Sequence, residues 1–575
     1  MTEKIAFISY ETPYAPCGGI AAVMGRLPGY VQAAAGLETI VVTPYHHRIA
    51  KTRSLSLEWI GSVNVDTVSG ELPVEIGRLV DKNGLAWYFL KPYDEAFFAG
   101  ERHPYDVAKA QQDIGTILQR DALFFGAALA QALPAIDSQA HWTLSMQDWE
   151  AATVVLALGR KRSRYGLFLT LHNSYDSGGV SEDRLEAVGI DPRYCKGPAG
   201  ASQASVLERV LELTRTPIFT VSKQFAADLT QDPVQARVVA PHLQGPLQRR
   251  LYGIDNGPFA NLAVNPDVLD QAVGGNFAAL QAWKEERKTV ALAALKNIKP
   301  SVEMPVWGSL DLFGQDAPDL PWFVMAGRDD PRQKGYDVAA LAIQRFLSAG
   351  GKANFLFFPI PGDEGKAGLT FLGKLAEEFP GKILALPFIF KEGFNAAMQG
   401  STFGLMPSLY EPFGMANEYY LNGTPVIGRA TGGIIQQIVP LRTASVFTPA
   451  VEMRANAWYK PNASPTGLLF READGLPSLE EDWRSINAAG YNPQGGSPDR
   501  VEERSQYPLV QAMAGQLQAA LEDGLKVYQN QALYFKMLAD GARFIQANFS
   551  WERSAQELVG KLGNPTFLYS NTAGV

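Results

Sequence analysis

The sequence predicts an α/β protein built on parallel β-sheets and divided into two or more domains. Short apolar runs at residues 5–9 (IAFIS) and 322–326 (WFVMA) have the length and composition of strands that are buried in a parallel sheet. Segments with helical spacing follow these runs, and polar or glycine-rich residues stand where the strands end. The chain has 575 residues, which is too many for a single hydrophobic core.

Composition and charge exclude several classes of protein. Hydrophobic residues make up 46% of the chain and aromatic residues 11%, which is typical of a globular protein. The net charge is -8 and no long basic run occurs, so nucleic acid is not the expected partner. No apolar run reaches the roughly 18 residues that a membrane-spanning helix needs, so we expect no membrane association.

The cysteines and the N-terminus indicate the compartment. The chain has two cysteines, Cys17 and Cys195, and neither has the spacing of a metal site, so we expect no disulfide framework. The apolar run at residues 5–9 lacks the basic head and the cleavage region of a signal peptide. We therefore expect a soluble, cytoplasmic protein.

Residues 403–433 carry the strongest signal of a binding site. An apolar run at 403–406 predicts a short strand, after which Glu411 stands in a loop and Gly414 leaves room for a close backbone approach. A second strand is predicted at 426–427, and residues 431–433 (TGG) open the next helix. Free N–H groups and the helix dipole make such a helix start an anion site. Two strand-to-helix crossings thus place polar groups at the carboxyl edge of a sheet, where open α/β sheets bind ligands.

This stretch resembles the donor site of the glycogen and starch synthases. Residues 407–414 (PSLYEPFG), 422–426 (NGTPV) and 429–433 (RATGG) follow that family's motifs in order. The family resembled is glycosyltransferase family 5, whose members are retaining enzymes with the GT-B architecture. The resemblance therefore implies two Rossmann-like domains that face an interdomain cleft, with a C-terminal helix that crosses back to the first domain.

The resemblance also implies a domain organisation. Residues 1–250 form the Rossmann-like acceptor-side domain, together with the C-terminal helix at 549–575. Residues 251–548 form the Rossmann-like domain that binds the nucleotide sugar. Within it, residues 451–510 are polar and rich in proline and glycine, which predicts an insertion or a mobile surface loop.

The first strand leads into a loop that departs from the family pattern. Glu11, Gly18 and Gly19 match the family's glycine-rich donor loop. Pro16 stands where that loop has a lysine, and Ala22 replaces its usual acidic residue. Loss of this cation should weaken charge stabilisation of a diphosphate by about 2 kcal/mol or more. Either another residue replaces it or the substrates differ from the usual pair.

Two further polar strand ends are expected in the first domain. Residues 147–150 (QDWE) match the family's HDWH loop, with Glu150 at the position of the last histidine. A strand at 167–171 ends in His172 and Asn173, which match a His-Asn pair whose histidine lies beside the transferred sugar. A lone histidine is more often a satisfied core residue, but the resemblance favours the functional role.

Other first-domain residues have weaker signals. The aromatic residues of segment 87–98 are expected to be packing residues, while Lys91, Tyr93 and Asp94 are candidates to face an acceptor sugar. His46 and His47 are adjacent, so they cannot share a helix face as metal ligands do, and a surface role is expected.

The second domain supplies the cations. After the strand at 322–326, Arg328 and Lys334 match the family's pair that grips the donor diphosphate, with one extra residue between them. The departing nucleoside diphosphate gains negative charge, which fixed cations stabilise, and arginine suits bidentate phosphate contact. Arg332 is a candidate replacement for the missing first-domain cation.

The remaining donor contacts are implied by the resemblance. Glu411 and the backbone near Phe413 and Gly414 are expected to hold the sugar through its hydroxyl groups. Phe388 or Phe390 lies near the position where the family stacks an aromatic ring on the nucleotide base, and core packing is an equal alternative.

The predicted activity is transfer of glucose from ADP-glucose or UDP-glucose to an α-glucan chain, with retention of configuration. Arg328 and Lys334 would stabilise the diphosphate with the N–H groups of Thr431, Gly432 and Gly433, while His172 would lie beside the reacting carbon. No metal or cofactor is expected.

Three alternatives remain open. The first is a divergent GT-B enzyme that makes another α-glycoside or polysaccharide, which Pro16, Ala22 and Glu150 favour. The second is a catalytically weak protein that binds a carbohydrate or a nucleotide. The third, an α-glucan phosphorylase, needs a lysine for pyridoxal phosphate, and no such sequence context is recognised. The sequence leaves the donor base and the oligomeric state open.

Overall fold

A computed structural model describes residues 2–52, 55–101, 103–106, 114–197, 203–315, 319–362, 364–491 and 500–563. The chain forms two compact units: Met1–Gly257 with Ser550–Val575, and Pro258–Phe549. Within the described ranges, no helix combines the length and the hydropathy needed to cross a membrane.

The first unit is organised around a nine-stranded sheet with the order β3-β4-β5-β2-β1-β6-β7-β8-β9. Strands β3, β4 and β5 pair antiparallel, and the others pair parallel. The apolar residues of β1 are buried, as expected for a parallel strand covered on both faces. The strands are β1 (Thr2–Ser9), β2 (Thr39–Pro44), β3 (Glu58–Thr67), β4 (Gly70–Val80), β5 (Ala86–Pro92), β6 (Ala140–Gln147), β7 (Gly166–Leu171), β8 (Ile218–Thr220) and β9 (Leu251–Gly253).

Helices of this unit connect the strands. They are α1 (Gly19–Met24), α2 (Leu27–Ala35), α3 (His47–Thr52), α4 (Ile114–Ile136), α5 (Asp148–Leu158), α6 (Glu182–Glu186), α7 (Val206–Val210), α8 (Lys223–Thr230), α9 (Gln235–Val239) and α10 (Gln244–Leu247). The sequence predicts one helix at 21–27 that Pro28 and Gly29 interrupt or end. In the structure the break falls earlier, at Gly25 and Arg26, and Pro28 lies in the first turn of α2, where its missing N–H costs nothing.

The second unit contains a six-stranded parallel sheet with the order β12-β11-β10-β13-β14-β15. Its strands are β10 (Trp322–Arg328), β11 (Asn354–Ile360), β12 (Ile383–Ala385), β13 (Phe403–Met406), β14 (Val426–Arg429) and β15 (Leu468–Phe470). Its helices are α11 (Pro266–Val273), α12 (Ala278–Lys296), α13 (Tyr336–Ser348), α14 (Thr370–Glu378), α15 (Phe394–Gly400), α16 (Ala416–Leu421), α17 (Gly432–Gln437), α18 (Pro449–Ala455), α19 (Leu479–Ala488), α20 (Arg500–Ser505), α21 (Pro508–Gln529) and α22 (Gln531–Asn548).

The last helix, α23 (Trp551–Leu562), belongs to the first unit, where it packs against α2. Glu557 accepts a hydrogen bond from the Tyr252 hydroxyl at 2.6 Å, and Ser554 Oγ donates to the Asp255 carbonyl at 2.6 Å. Contacts with the segment around β9 therefore hold the C-terminal helix in this unit.

The segment at 451–510 is more regular than the sequence indicates. It contributes strand β15 to the sheet, beside β14, and it contains α19 and α20. The prediction of a mobile surface loop is therefore wrong for the described part of this segment, because apolar residues such as Trp483 and Tyr491 are buried. Residues 492–499, the most polar stretch, lie outside the described ranges.

His46 is a core residue, which corrects the expectation of a surface role. It is fully buried, and its Nε2 lies 2.7 Å from the Tyr10 carbonyl oxygen. Burial lowers the pKa of this imidazole to about 4, so the ring is neutral at pH 7. His47 begins α3 and is half-buried.

Candidate functional site

The second unit brings the predicted Lys334 and Glu411 together. Strand β10 ends at Arg328, and the chain then forms a loop before α13 begins at Tyr336. Within this loop, Lys334 Nζ lies 2.7 Å from Glu411 Oε2, in the loop that follows β13. The two loops are also joined by the Leu409 N–H, which donates to the Gln333 carbonyl at 2.7 Å. Both loops stand at the carboxyl ends of parallel strands, as the sequence predicts.

Glu411 is buried and is held by three donors. Its side chain is 4% exposed, and it accepts from Lys334 Nζ and from Ser408 Oγ at 2.9 Å on one oxygen. Gln333 Nε2 donates to the other oxygen at 3.1 Å. A carboxylate has about four acceptor positions, so these donors fix its orientation and leave little free capacity. Gln333 and Ser408 were not predicted as partners of Glu411.

Two glycines allow the site loops to pack backbone against backbone. Gly432 has a φ of +46°, and a Cβ there would lie 1.7 Å from the Glu411 carbonyl oxygen. Gly414 has a φ of +83°, and a Cβ there would meet the Glu411 side chain at 2.7 Å. A side chain at either position would displace Glu411: the close contact of Gly432 is with backbone, whereas that of Gly414 is with the Glu411 side chain.

Two N–H groups at the start of α17, where an anion site is predicted, are hydrogen-bonded within the protein. The Gly433 N–H donates to the Glu411 carbonyl at 3.0 Å, and the Thr431 N–H donates to the Arg429 carbonyl at 2.8 Å. These groups stabilise the loops internally. A diphosphate could use them only if those hydrogen bonds were broken.

A buried ion pair supports the Glu411 loop from behind. The side chains of Arg429 and Glu472 are each 1% exposed, and Arg429 Nε lies 2.8 Å from Glu472 Oε2. Arg429 Nη1 also donates to the Leu409 carbonyl at 2.6 Å. Burial raises the pKa of Glu472, but the Arg429 guanidinium outweighs it and the pKa falls to about 2. No local sequence motif marks Glu472, because its partner Arg429 is 43 residues away in the chain.

The rings of Phe390 and Phe413 pack against other aromatic rings in the second unit. Phe390 is 6% exposed and lies parallel to Phe358, with ring centroids 6.2 Å apart. Phe413 is also buried, and its ring meets Phe549 edge-on at 5.8 Å. The Phe413 carbonyl accepts from Gln437 Nε2 at 2.7 Å, so it is engaged within the protein. For Phe390 the core-packing alternative agrees with the structure.

In the first unit, N–H groups of the glycine-rich loop donate hydrogen bonds to the side chain of Glu11. Glu11 Oε1 accepts from the N–H groups of Cys17 and Ala21, each at 3.1 Å, and from that of Gly18. Tyr105 donates to the other oxygen at 3.3 Å. Burial raises the pKa of Glu11, and these N–H groups oppose the rise. An anionic side chain thus takes the donors that a phosphate would use, and no cation stands at Pro16.

His172 is neutral, and its tautomer follows from its neighbour. Its Nε2 lies 2.8 Å from Gln147 Oε1. Gln147 Nε2 donates to the Ser145 carbonyl at 3.0 Å, so Gln147 offers its oxygen to the ring, and the ring must carry its proton on Nε2. Burial lowers the pKa of His172 to about 4. Nδ1 therefore carries a lone pair that can accept a hydrogen bond from a hydroxyl group.

Asp148 orients the His172–Asn173 turn and was missed by the sequence analysis. Its backbone has a φ of +59°, a left-handed conformation that is uncommon outside glycine. Its Oδ1 accepts the His172 N–H at 2.6 Å. Burial raises the pKa of Asp148 to about 7, and the His172 and Asn173 N–H groups oppose the rise. The strained position of Asp148, directly after β6, marks it as a site residue.

Glu150 adds a further buried carboxyl group. It is 6% exposed, and burial, followed by the nearby Asp148 and Glu11, raises its pKa well above the ordinary value. The first unit therefore has the carboxyl groups of Glu11, Asp148 and Glu150 close to one another near its glycine loop and His172. A cavity of about 20 Å³ lies beside His172 and Asn256, which is room for about one water molecule and not for a sugar. Among the residues that the structure describes, no group of acidic, cysteine or histidine side chains is arranged to hold a metal ion.

Comparisons with known proteins identify the relationship. Residues 4–244 match the family model of the starch synthase catalytic domain. Over 564 residues the chain is 23% identical to a glycogen synthase of Kosmotoga olearia, which covers 97% of this chain and 96% of the relative. These matches show that the chain is similar to the glycogen and starch synthases, and they support its assignment as a glycosyltransferase. A glycogen synthase of Thermosipho melanesiensis is 24% identical over 574 residues, and the match covers 97% of this glycosyltransferase and 98% of the relative.

A solved structure supports the fold of this glycosyltransferase. The catalytic domain of starch synthase IV from Arabidopsis thaliana, bound to ADP and acarbose, superposes with a TM-score of 0.63 at 16% identity. The match covers 98% of this chain and 99% of that one. The predicted resemblance to the glycogen and starch synthases and the predicted enzyme class are confirmed by the sequence matches, and the predicted GT-B fold is confirmed by this structural match. The family model ends at residue 244, so Arg328, Lys334 and Glu411 lie outside it, within the span of the full-length relatives.

Proposed function

We propose that this glycosyltransferase moves glucose from a nucleotide sugar, ADP-glucose or UDP-glucose, to an α-glucan chain with retention of configuration. The observation that carries the proposal is the Lys334–Glu411 pair. Lys334 is 24% exposed and its ammonium group is fixed at 2.7 Å from a buried carboxylate, at the carboxyl edge of a parallel sheet. A cation held in place in this way is suited to a ligand that carries both phosphate charge and sugar hydroxyl groups.

The chemistry of transfer assigns the cations to the leaving group. As the bond between the sugar and the diphosphate breaks, negative charge builds up on the diphosphate oxygens. Lys334 stabilises that charge because its ammonium group is fixed before the reaction begins, and Arg328 adds a second cation. Arginine can contact two phosphate oxygens at once, whereas lysine acts as a compact point charge. Removing one such interaction should cost about 3 kcal/mol in the barrier.

The sugar is held by groups that accept or donate hydrogen bonds. Glu411 and the backbone at Phe413 and Gly414 orient its hydroxyl groups, and Gly432 keeps the Glu411 loop in place. Neutral His172 accepts a hydroxyl hydrogen bond at Nδ1, beside the reacting carbon, which has oxocarbenium character in glycosyl transfer.

The turn at His172 is supported by neighbouring groups. Asn173, next to His172, contacts the donor nucleotide sugar. Asp148 holds the turn through its hydrogen bond to the His172 N–H. Gly18 and Gly19 approach the donor through their backbone. Thr431 and Gly433 position the loops.

A second candidate is a related transferase that uses a different acceptor or a different α-glycosidic product. Pro16 and Glu150 favour it, because a proline stands where the family's glycine loop has a lysine and a carboxyl group stands where the family has a histidine. A neutral polyhydroxyl acceptor is compatible with both candidates.

The test is a panel of ADP-, UDP- and GDP-sugars, with and without glucan primers, scored by the release of nucleoside diphosphate. ADP-glucose is the first donor to test, because the Arabidopsis relative binds ADP. Release that depends on a glucan primer supports the proposal, and proton NMR of the extended product reports whether the new linkage is α. Release with small acceptors alone supports the second candidate, and no release with any donor contradicts both.

A further inference from the structure

Two side chains, Tyr491 and Arg504, contact the loop that carries Lys334 and the first turn of the helix that follows it. Arg504 Nε lies 2.9 Å from Asp337 Oδ2, and Arg504 Nη2 donates to the Pro331 carbonyl at 2.7 Å. Tyr491 donates its hydroxyl hydrogen to Asp337 Oδ1 at 3.2 Å. We call Asp337, Tyr491 and Arg504 the clamp.

The clamp is buried and rigid. Its three side chains are each at most 3% exposed. The Arg504 guanidinium lies over the Tyr491 ring, 4.8 Å from its centroid, and Phe371 meets that ring edge-on at 5.1 Å. The Tyr491 N–H is also fixed, since it donates to Glu364 Oε2 at 3.0 Å. The guanidinium therefore has little freedom to change its orientation.

The Arg504 guanidinium thus joins the two ends of the loop that carries Lys334. Pro331 lies three residues before Lys334, and Asp337 lies in the first turn of α13, three residues after it. Between them, the Gln333 and Lys334 N–H groups both donate to the Asp330 carbonyl, at 3.0 and 2.9 Å, which makes a tight turn. The turn is held by the clamp on one side and by Glu411 on the other. A shift of the clamp therefore moves the ammonium group of Lys334.

We propose that Arg504 and Tyr491 are positioning residues that set the affinity of this loop for the diphosphate of the donor. This inference rests on the proposed function. Diphosphate binding depends on where the cations stand, and a displacement of about 1 Å is enough to cost a large factor in rate. Lysine cannot replace Arg504, because a single ammonium group cannot span the Asp337 carboxylate and the Pro331 carbonyl in the planar geometry of the guanidinium.

The experiment compares Arg504→Lys with wild type. Calorimetry measures the Kd of ADP and of UDP, and initial rates give kcat and the KM values of donor and primer. We expect the Kd of the nucleoside diphosphate that wild type binds, and the KM of its donor sugar, to rise 5- to 20-fold. We expect the KM of the primer to stay within twofold. Arg484→Lys is the matched control, since Arg484 lies on α19 of the same segment, is half-exposed and pairs only with Glu480 among the contacts described for its side chain.

A second variant keeps the inference testable if Arg504→Lys does not fold. Tyr491→Phe removes the hydroxyl bond to Asp337 and retains the ring that packs on Arg504 and Phe371. We expect a two- to fourfold rise in the same Kd, with the thermal midpoint lowered by no more than a few degrees. A larger rise for Arg504→Lys than for Tyr491→Phe supports the clamp.

Three results would overturn the inference. An unchanged Kd and donor KM in a folded Arg504→Lys variant would show that the clamp does not position the loop. An equal rise in the KM of donor and primer would show a general structural effect. If wild type itself bound neither ADP nor UDP, the proposed function would fail as well, so the wild-type measurement separates the two failures.

Discussion

The buried pair of Arg429 and Glu472 gives a quantitative prediction for Glu472→Gln. The pKa of Glu472 is about 2 in the folded protein, against an ordinary value of 4.5, because Arg429 outweighs the effect of burial. The difference is 4.5 − 2 = 2.5 pKa units, so ionised Glu472 stabilises the fold by about 3 kcal/mol. We therefore expect Glu472→Gln to lower the free energy of unfolding at pH 7 by about 3 kcal/mol, the cost typical of a broken buried pair.

The pH dependence of this difference has a definite sign. A lowered folded-state pKa gives stability that is fully present above the unfolded pKa and is lost as the pH falls toward about 2. The gap between wild type and Glu472→Gln should therefore be constant from pH 7 to about pH 5 and should shrink below that. Urea unfolding at each pH, followed by tryptophan fluorescence, measures it, since Trp483 lies 5.7 Å from the Arg429 guanidinium.

A matched control distinguishes the buried pair from an ordinary surface pair. Glu480→Gln removes the ion-pair partner of Arg484 on α19. Because the Arg484 side chain is 53% exposed, the free energy of unfolding should fall by less than about 0.5 kcal/mol. Two results for Glu472→Gln would refute the reasoning. One is a loss below about 1 kcal/mol at pH 7, and the other is a gap that does not change between pH 5 and pH 3.

Three further predictions concern the site and its supports. Lys334→Ala and Glu411→Ala should each lower turnover at least tens-fold with a preserved fold, measured by initial rates and circular dichroism; near-normal rates in both variants would remove the site assignment. Gly432→Ala, whose Cβ would meet the Glu411 carbonyl, should cost more than about 2 kcal/mol of stability and most of the activity, whereas Gly515→Ala, in open space on α21, should leave both intact. The hydrogen bond to Asp176 raises the pKa of His242, so His242→Gln should destabilise the protein by up to about 1 kcal/mol at pH 5.5 and less at pH 8.5; the opposite order in thermal unfolding would contradict this.

The parts of the fold that the sequence predicts well depend on local patterns. The strands predicted at 5–9, 322–326 and 403–406 are present in the structure. A short apolar run that ends in polar or glycine residues is typical of a strand buried in a parallel sheet. The pairing of Lys334 with Glu411 was not itself predicted. It follows from the rule that parallel strands end at one edge of the sheet.

The features that the sequence did not reveal depend on long-range contacts or on backbone conformation. Glu472 and Arg504 meet partners 43 and 167 residues away in the chain, and no local pattern marks either pair. The left-handed backbone at Asp148 has no signal in residue type, since a glycine would be the usual choice there. His46 was misassigned because adjacent histidines look polar, whereas its neighbour Tyr10 supplies a buried acceptor.

The N–H groups of the glycine loop and of α17 show the same limit of local patterns. Motif spacing correctly indicated where helices begin, and it could not indicate that Glu11 and the Glu411 carbonyl occupy N–H groups there. The roles of Gly18, Gly19 and Gly433 as donor contacts stay predictions. The N–H groups of Gly18 and Gly433 would have to exchange their present hydrogen bonds when the donor binds.

The central claim is that Arg328 and Lys334 take up the charge of the donor diphosphate. A crystal structure of the protein with bound ADP or UDP tests it most directly. We predict phosphate oxygens within about 3 Å of Lys334 Nζ and of the Arg328 guanidinium. A nucleoside diphosphate bound with its phosphates away from both side chains would contradict the claim.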